Sequence, residues 1–386
     1  MKSRKLFTEG IFVLFLFIWI TAETVNAQCI PNEITFSSQI QIDNFATDYP
    51  GCTEILGDVY ITESSSGNIT NLNGLSVVNS IGGELDISFN SALSNLNGLG
   101  NLTSIGEDMQ IYYCDALTNL NGLENLTSIG GSVDVEENPA LISLNGLENL
   151  TYIGKTLYII YNTSLSSISG LSNLTLIGEG LDLVNNNLLP SLSGLDNLTS
   201  IGGNVRIINT GAVNLSNLSN LLSIGGSLEI SYNNLLSSLE GIDNIDPSTI
   251  TYLVISGCPV LSVCEVQSIC DYLDIPESST SISSNASGCN NKDEVVLACT
   301  ILAVNDNVSE TNEELLFPNP TNGIIHIDDS NSDIWEFTIY NTTGLLIRRT
   351  QNLENGQIDI SNLPNGLYFI ELSNKTQVII RKIIKE

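Results

Sequence analysis

Between residues 53 and 257 the chain repeats a short apolar–polar–apolar triplet at a nearly constant interval. The triplets are Val59-Tyr60-Ile61, Leu85-Asp86-Ile87, Met109-Gln110-Ile111, Val133-Asp134-Val135, Leu157-Tyr158-Ile159, Leu181-Asp182-Leu183, Val205-Arg206-Ile207, Leu228-Glu229-Ile230 and Leu253-Val254-Ile255. Alternation of period two predicts short strands with one face buried. Between the triplets, Gly-Leu recurs at 74, 98, 122, 146, 170 and 194, and Ile-Gly at 81, 105, 129, 153, 177, 201 and 224. A fixed period of this size is the mark of a solenoid, in which each unit packs only on its neighbours. Nine parallel strands, one per turn, predict a solenoid roughly 40 Å long at ~4.8 Å per turn. The glycines after each isoleucine allow the chain to turn where a Cβ would clash.

Three residues beyond each triplet stands a second column: Asn90, Cys114, Asn138, Asn162, Asn186, Thr210, Asn233 and Cys258. A bend at that point is expected to be buried, and a stack of asparagines there can satisfy the backbone groups of adjacent turns. Cys114 is therefore expected to be a member of this ladder and not a nucleophile. It lies six turns from Cys258, roughly 29 Å at that rise, which is far beyond disulfide reach.

The unit L-x-I-x-x-N-x-x-L, with cysteine sometimes in place of asparagine, resembles the leucine-rich repeat. Its G-L-x-N-L-T-x-I-G-G portion is more similar to the receptor L domain, the right-handed β-helix of insulin- and EGF-receptor ectodomains and of bacterial surface relatives. The resemblance covers about residues 53 to 257. It implies an all-β fold, a right-handed parallel β-helix that binds a ligand without catalysis. The chain has no cysteine-rich receptor module and no kinase, so receptor signalling is not implied.

The ends differ from the repeat. Residues 1–27 read as a signal peptide: Lys2, Arg4 and Lys5 precede an apolar run from Ile11 to Ile20, and Val25-Asn26-Ala27 offers a cleavage site. That run is too short to span a bilayer, and no transmembrane segment is expected after cleavage. Export makes disulfides the expected state of cysteine. Cys29 and Cys52 would staple an N-terminal cap on a solenoid spanning 28–257. Cys264, Cys270, Cys289 and Cys299 would form two bonds, of unreadable connectivity, within a small helical cap over 258–300. Helices are predicted at Cys264–Cys270 and Lys292–Cys299, covering a solenoid end that otherwise exposes apolar side chains. Residues 301–314 read as a polar linker.

From 315 to 386 short strands alternate with turns. Strands are predicted at Ile324–Asp328, Trp335–Tyr340, Leu345–Arg349, Gln357–Ile360, Leu367–Leu372 and Gln377–Ile384, a small antiparallel β-sandwich. The elements L-F-P-N-P-T-N-G, Y-N-T-T-G and L-P-N-G-L-Y, with the terminal K-I-I-K, contain Pro318, Asn319, Pro320, Gly323, Gly344, Gly366 and Tyr368. They resemble the C-terminal sorting domain of the type IX secretion system of Bacteroidetes. The resemblance implies type IX machinery as a partner and export across the outer membrane. It also implies removal of this domain, with the rest attached to the surface or released.

Charge narrows the function. The chain carries 43 acidic and 12 basic residues, a formal net charge of −31. Nucleic acid and anionic lipid would be repelled. The single histidine, His326, lies on a predicted sandwich strand and has no second histidine to share a metal or a proton relay. Asn-Leu-Thr at 101, 125, 149, 173 and 197 fits a glycosylation sequon, but one repeat phase explains every copy. No cofactor is expected; calcium has weak support, because the acids are scattered over many turns. The outward strand positions are more informative. Tyr112, Tyr158, Tyr161 and Tyr232, with Asp134 and Asp182 among them, suit sugar stacking or a basic protein partner. Tyr112, Tyr158 and Tyr161 are expected to form one platform across consecutive turns. The reading is an exported, non-catalytic binding protein, an adhesin or a glycan- or protein-binding module. The alternative is a β-helix polysaccharide lyase. That needs a cationic centre, and between 28 and 314 there are three basic residues, Lys155, Arg206 and Lys292.

Overall fold

A computed structural model describes residues 27–306, 316–327, 336–341, 346–350, 357–373 and 378–386. The leader segment before Ala27, the linker from 307 onward, and Gly344 lie outside the described residues.

The nine triplets form strands Val59–Thr62, Leu85–Ser88, Met109–Tyr112, Val133–Glu136, Leu157–Ile160, Leu181–Val184, Val205–Ile208, Ser227–Ser231 and Tyr252–Ser256. They pair in parallel, each coil on the next, with register such as Val133↔Leu157 and Leu157↔Leu181. The sheet has eleven strands, because Ile34–Phe36 and Thr280–Ser283 add one at each end. The repeat therefore continues past Gly257, where the sequence pattern stops, into the segment read as a cap. A second, nine-stranded sheet is built largely from two-residue strands such as Ser128–Ile129 and Tyr152–Ile153. Each coil thus crosses two parallel sheets, and the apolar side chains of both face one core.

Between the sheets the core leucines recur every third residue. Leu117, Leu120, Leu123 and Leu126 in one coil, and Leu141, Leu144, Leu147 and Leu150 in the next, are fully buried. Each such side chain contributes about 1.5–3 kcal/mol by leaving water. The glycine after each isoleucine is required by the neighbouring coil: a Cβ on Gly154 would stand 1.9 Å from the carbonyl oxygen of Gly130.

The G-L-x-N-L segment takes one of two turns, and the residue two places after the glycine decides which. Where it is acidic, the carboxylate accepts a hydrogen bond from the glycine N–H: Glu124 from Gly122, Glu148 from Gly146, Asp196 from Gly194 and Asp243 from Gly241. All four glycines then have φ between 110° and 119°. Where it is Ser76, Gly100, Ser172 or Ser219, the segment is a single 3₁₀ turn, at Asn73–Leu75, Asn97–Leu99, Ser169–Leu171 and Ser216–Leu218, the last with Asn217 in the glycine's place. Part of the acidic surplus is therefore turn chemistry.

Both ends are capped. Helix Gln39–Asp48 buries Ile42 and Phe45 over the first coils, and Cys29 is bonded to Cys52. At the other end helix Gln267–Asp274 and helix Lys292–Asp306 are joined by Cys270–Cys299, and Cys264 is bonded to Cys289. The first of these helices starts three residues later than the pattern suggests, because Val266 is extended (φ −100°, ψ 151°) and serves as its N-cap. The second runs six residues into the segment read as a linker, because Ile301-Leu302-Ala303-Val304 carries no helix breaker.

The C-terminal residues have a core of their own: Leu316, Ile325, Phe337, Ile339, Ile358, Ile360, Tyr368, Ile370, Leu372 and Ile383. Among the described residues seven strands form two antiparallel sheets. Leu316–Phe317, Ile324–Ile327 and Gln357–Asp359 make one; Leu346–Thr350, Glu336–Asn341, Gly366–Ser373 and Val378–Lys385 make the other. Motif residues hold this unit together. The Asn319 side chain donates to the Lys382 carbonyl at 2.7 Å and accepts from the Ile384 N–H at 2.9 Å. The Tyr368 hydroxyl donates to the Pro364 carbonyl at 2.6 Å, and a Cβ on Gly323 (φ 130°) would meet Ser361. His326 stacks on Phe317, with ring centroids 5.6 Å apart.

Candidate functional site

Three columns run side by side along the long sheet, and the strand register orders them. The first consists of the outward residues at the second strand position: Tyr60, Asp86, Gln110, Asp134, Tyr158, Asp182, Arg206, Glu229 and Val254. The second is the fourth strand position: Thr62, Ser88, Tyr112, Glu136, Ile160, Val184, Ile208 and Ser231. The third is the residue after the strand, where the chain bends: Phe89, Tyr113, Glu137, Tyr161, Asn185, Asn209, Tyr232 and Gly257. Every member of this third column has φ between 50° and 67°. Asparagine and glycine suit that left-handed conformation, whereas bulky residues rarely adopt it.

Directly behind the bend lies the ladder. Asn90, Asn138, Asn162, Asn186 and Asn233 are fully buried. Asn162 donates from Nδ2 to the Val135 carbonyl at 2.8 Å, and its Oδ1 accepts from the Asn138 N–H at 3.1 Å. Its own N–H donates to Asn186 Oδ1 at 3.1 Å. Thr210 donates from both N–H and hydroxyl to Asn233 Oδ1. Cys114 and Cys258 are buried free thiols in the same column, and burial pushes the Cys114 thiol up to about 12. Asn285, which the sequence pattern does not mark, extends the ladder by accepting from the Cys258 N–H.

The three tyrosines read as one platform are separated by the register. Tyr112 and Tyr158 lie two coils apart and in different columns: Tyr112 faces Glu136, and Tyr158 faces Asp134 and Asp182. Both are half-buried, while Tyr161 and Tyr232 are 49% and 62% exposed at the bend. The sequence does not separate the aromatic row of the bend, Phe89, Tyr113, Tyr161 and Tyr232, from the outward strand positions. Phe89 and Tyr113 stack with ring centroids 4.9 Å apart and planes 15° from parallel. Asn185, Asn209 and Gly257 in the same repeat phase are the signal that would have shown the backbone there to be left-handed.

Charges on the face fall into two groups. Arg206 stands between two acids, donating to Asp182 at 3.0 Å and to Glu229 at 3.3 Å. Asp182 is 8% exposed, and burial raises its pKa against the opposing pull of Arg206. Four coils earlier in the same column Gln110 stands where Arg206 does, between Asp86 and Asp134. Tyr112 donates its hydroxyl to Asp134 Oδ2, but the buried Oδ1 atoms of Asp86 and Asp134 have no partner. Burial raises the pKa of both acids. Burial, with repulsion from Asp134, pushes Glu136 up to about 7. Lys155 pairs with Asp108 at 3.4 Å.

Among the described residues no group of three or more His, Cys, Asp or Glu side chains is placed to hold a metal ion. The sequon asparagines are occupied as well: Asn125, Asn149 and Asn173 each donate from Nδ2 to a carbonyl of the preceding coil. No helix among the described residues is long and apolar enough to cross a membrane.

No curated protein matches the chain. Residues 315–386 match the family described as the secretion system C-terminal sorting domain. That match supports export by type IX secretion, across the outer membrane to the cell surface or the medium.

Proposed function

We propose that the solenoid is a non-catalytic binding module of receptor L domain type, an adhesin or a glycan- or protein-binding protein, delivered outside the cell by its sorting domain. The observation that carries this reading is the long parallel sheet with its outward rows of aromatic and carboxylate side chains, fixed at one coil spacing. Such a surface presents rigid rings and hydrogen-bonding groups without a reacting centre. Binding is also favoured by the cations. A lyase needs a positive group free to stabilise a developing carbanion, whereas Arg206 is tied on both sides by carboxylates and Lys155 by one. The test is a glycan array and a panel of labelled peptides probed with the purified chain, beside a turnover assay on anionic polysaccharides. Saturable binding without turnover is the expected result. Turnover abolished by Arg206→Ala would overturn the reading in favour of the lyase.

A further inference from the structure

The bend column carries aromatic residues that neither local conformation nor core packing explains. Its backbone is left-handed in every coil from Phe89 to Gly257, and the chain itself uses Asn185, Asn209 and Gly257 there. Phe89, Tyr113 and Tyr161 place bulky side chains in that strained conformation. They also gain little burial, being 57%, 45% and 49% exposed. Bulky aromatics held against conformational preference and left in solvent mark a surface that something else covers.

We infer that this edge, from Phe89 through Tyr113 to Tyr161, docks a basic polypeptide segment whose lysine or arginine side chains lie across the rings toward the carboxylates of the adjoining columns. The inference rests on the reading of the solenoid as a binding module and names the chemistry of its partner. Charge complementarity selects the occupant. Glu137 stands in the column of the rings, the column beside it ends in Glu136, and the one beyond contains Asp86, Gln110 and Asp134. The same column shows what satisfies such a pair: Arg206 sits between Asp182 and Glu229 and bonds to both. At Gln110 the cation is missing, and the unpaired inner oxygens of Asp86 and Asp134 are buried beneath the face, which leaves Glu136 and Glu137 as the carboxylates nearest the rings. A guanidinium or ammonium from a partner would bring to Glu136 and Glu137 the positive charge that Arg206 supplies within the chain, with the stacked Phe89 and Tyr113 rings supplying a cation–π face. A neutral glycan would stack on the rings but leave the carboxylates uncompensated. The net charge of −31 steers a basic partner toward the solenoid from a distance.

The test is fluorescence anisotropy of labelled oligoarginine and oligolysine with the full chain and with the double variant Phe89→Asn, Tyr113→Asn. Both substitutions keep every charge, and asparagine already occupies this column at 185 and 209, so the variant should melt no lower than the wild type. The expected result is salt-sensitive binding by the wild type and about tenfold weaker binding by the double variant. Glu137→Gln should weaken it as well, and Tyr161→Asn serves as a single-site check should the double variant fold poorly. Equal affinity of wild type and double variant would overturn the inference, since the attraction would then be general surface charge. Absence of wild-type binding would also overturn it. Binding of a neutral oligosaccharide in its place, lost in the double variant, would refute the basic partner while leaving the binding module intact.

Discussion

Replacing Asn162 by leucine removes one rung of the ladder while keeping the branched shape of the side chain. Four groups lose a bond to the side chain: the Asn138 N–H, the Asn138 Nδ2, the Val135 carbonyl and the Ile160 carbonyl; Asn138 Nδ2 keeps the Ile111 and Glu136 carbonyls. The Ile160 carbonyl retains the Glu137 N–H at 3.1 Å and the Val135 carbonyl keeps its place in the strand ladder, so the Asn138 N–H is the buried backbone group left without a partner. Such a group costs about 1–3 kcal/mol, and the added apolar contact of leucine offsets part of that. The expected destabilisation is about 1–3 kcal/mol. Urea unfolding followed by circular dichroism measures it, with Asn162→Thr as the comparison because Thr210 already fills this column. The threonine variant should lose less than the leucine variant. A midpoint for Asn162→Leu unchanged within error would mean that the ladder bonds do not support the coils, and the register argument would fail with it.

Glu136 makes stability depend on pH. Folding raises its pKa from an ordinary 4.5 to about 7, so across that window the folded chain holds a proton that the unfolded chain has lost, and stability falls as pH rises. Glu136→Gln should therefore raise the melting temperature at pH 8 and leave it unchanged near pH 4; an equal shift at both would reject the assignment. Glu148→Ser should convert the turn at Gly146 into the 3₁₀ form seen at Ser169–Leu171, at a loss of about 0.5–1.5 kcal/mol; a crystal structure of the variant with Gly146 still at positive φ would show that the acid does not select the turn. A chain ending at Thr311 should stay in the periplasm, whereas exported protein should lack residues from about 315 onward; mass spectrometry finding Glu386 on surface material would contradict the cleavage.

The strands of the long sheet were legible because four alternating residues per coil suffice to show period two. The second sheet was not, since a two-residue strand such as Ser128–Ile129 has no alternation to display. Ile34–Phe36 and Thr280–Ser283 escaped for a different reason: each pairs with the outermost repeats yet lacks their flanking glycines and leucines. The tyrosines show how far phase matters. Tyr158 is the second residue of its strand and Tyr112 the fourth of its own, so both point outward but into different columns. Their separation followed only once the register Tyr112↔Glu136 was fixed. The stacking of Phe89 on Tyr113 needed the bend geometry as well, because neither residue is in a strand.

The disulfide between the two C-terminal helices has a mechanical consequence. The sorting segment continues from the helix that carries Cys299, and Cys299 is bonded to Cys270 in the helix before it. Tension applied through the chain beyond that helix meets a covalent crosslink before it reaches any coil. The crosslink diverts the load to Cys270, and the second bond, Cys264–Cys289, closes the intervening loop onto the last turns. Peeling of the sheet from this end, strand by strand from Thr280–Ser283, is therefore blocked until a disulfide is reduced. A protein held by this end while its long face grips a partner would behave as a stiff lever rather than as an unravelling tether.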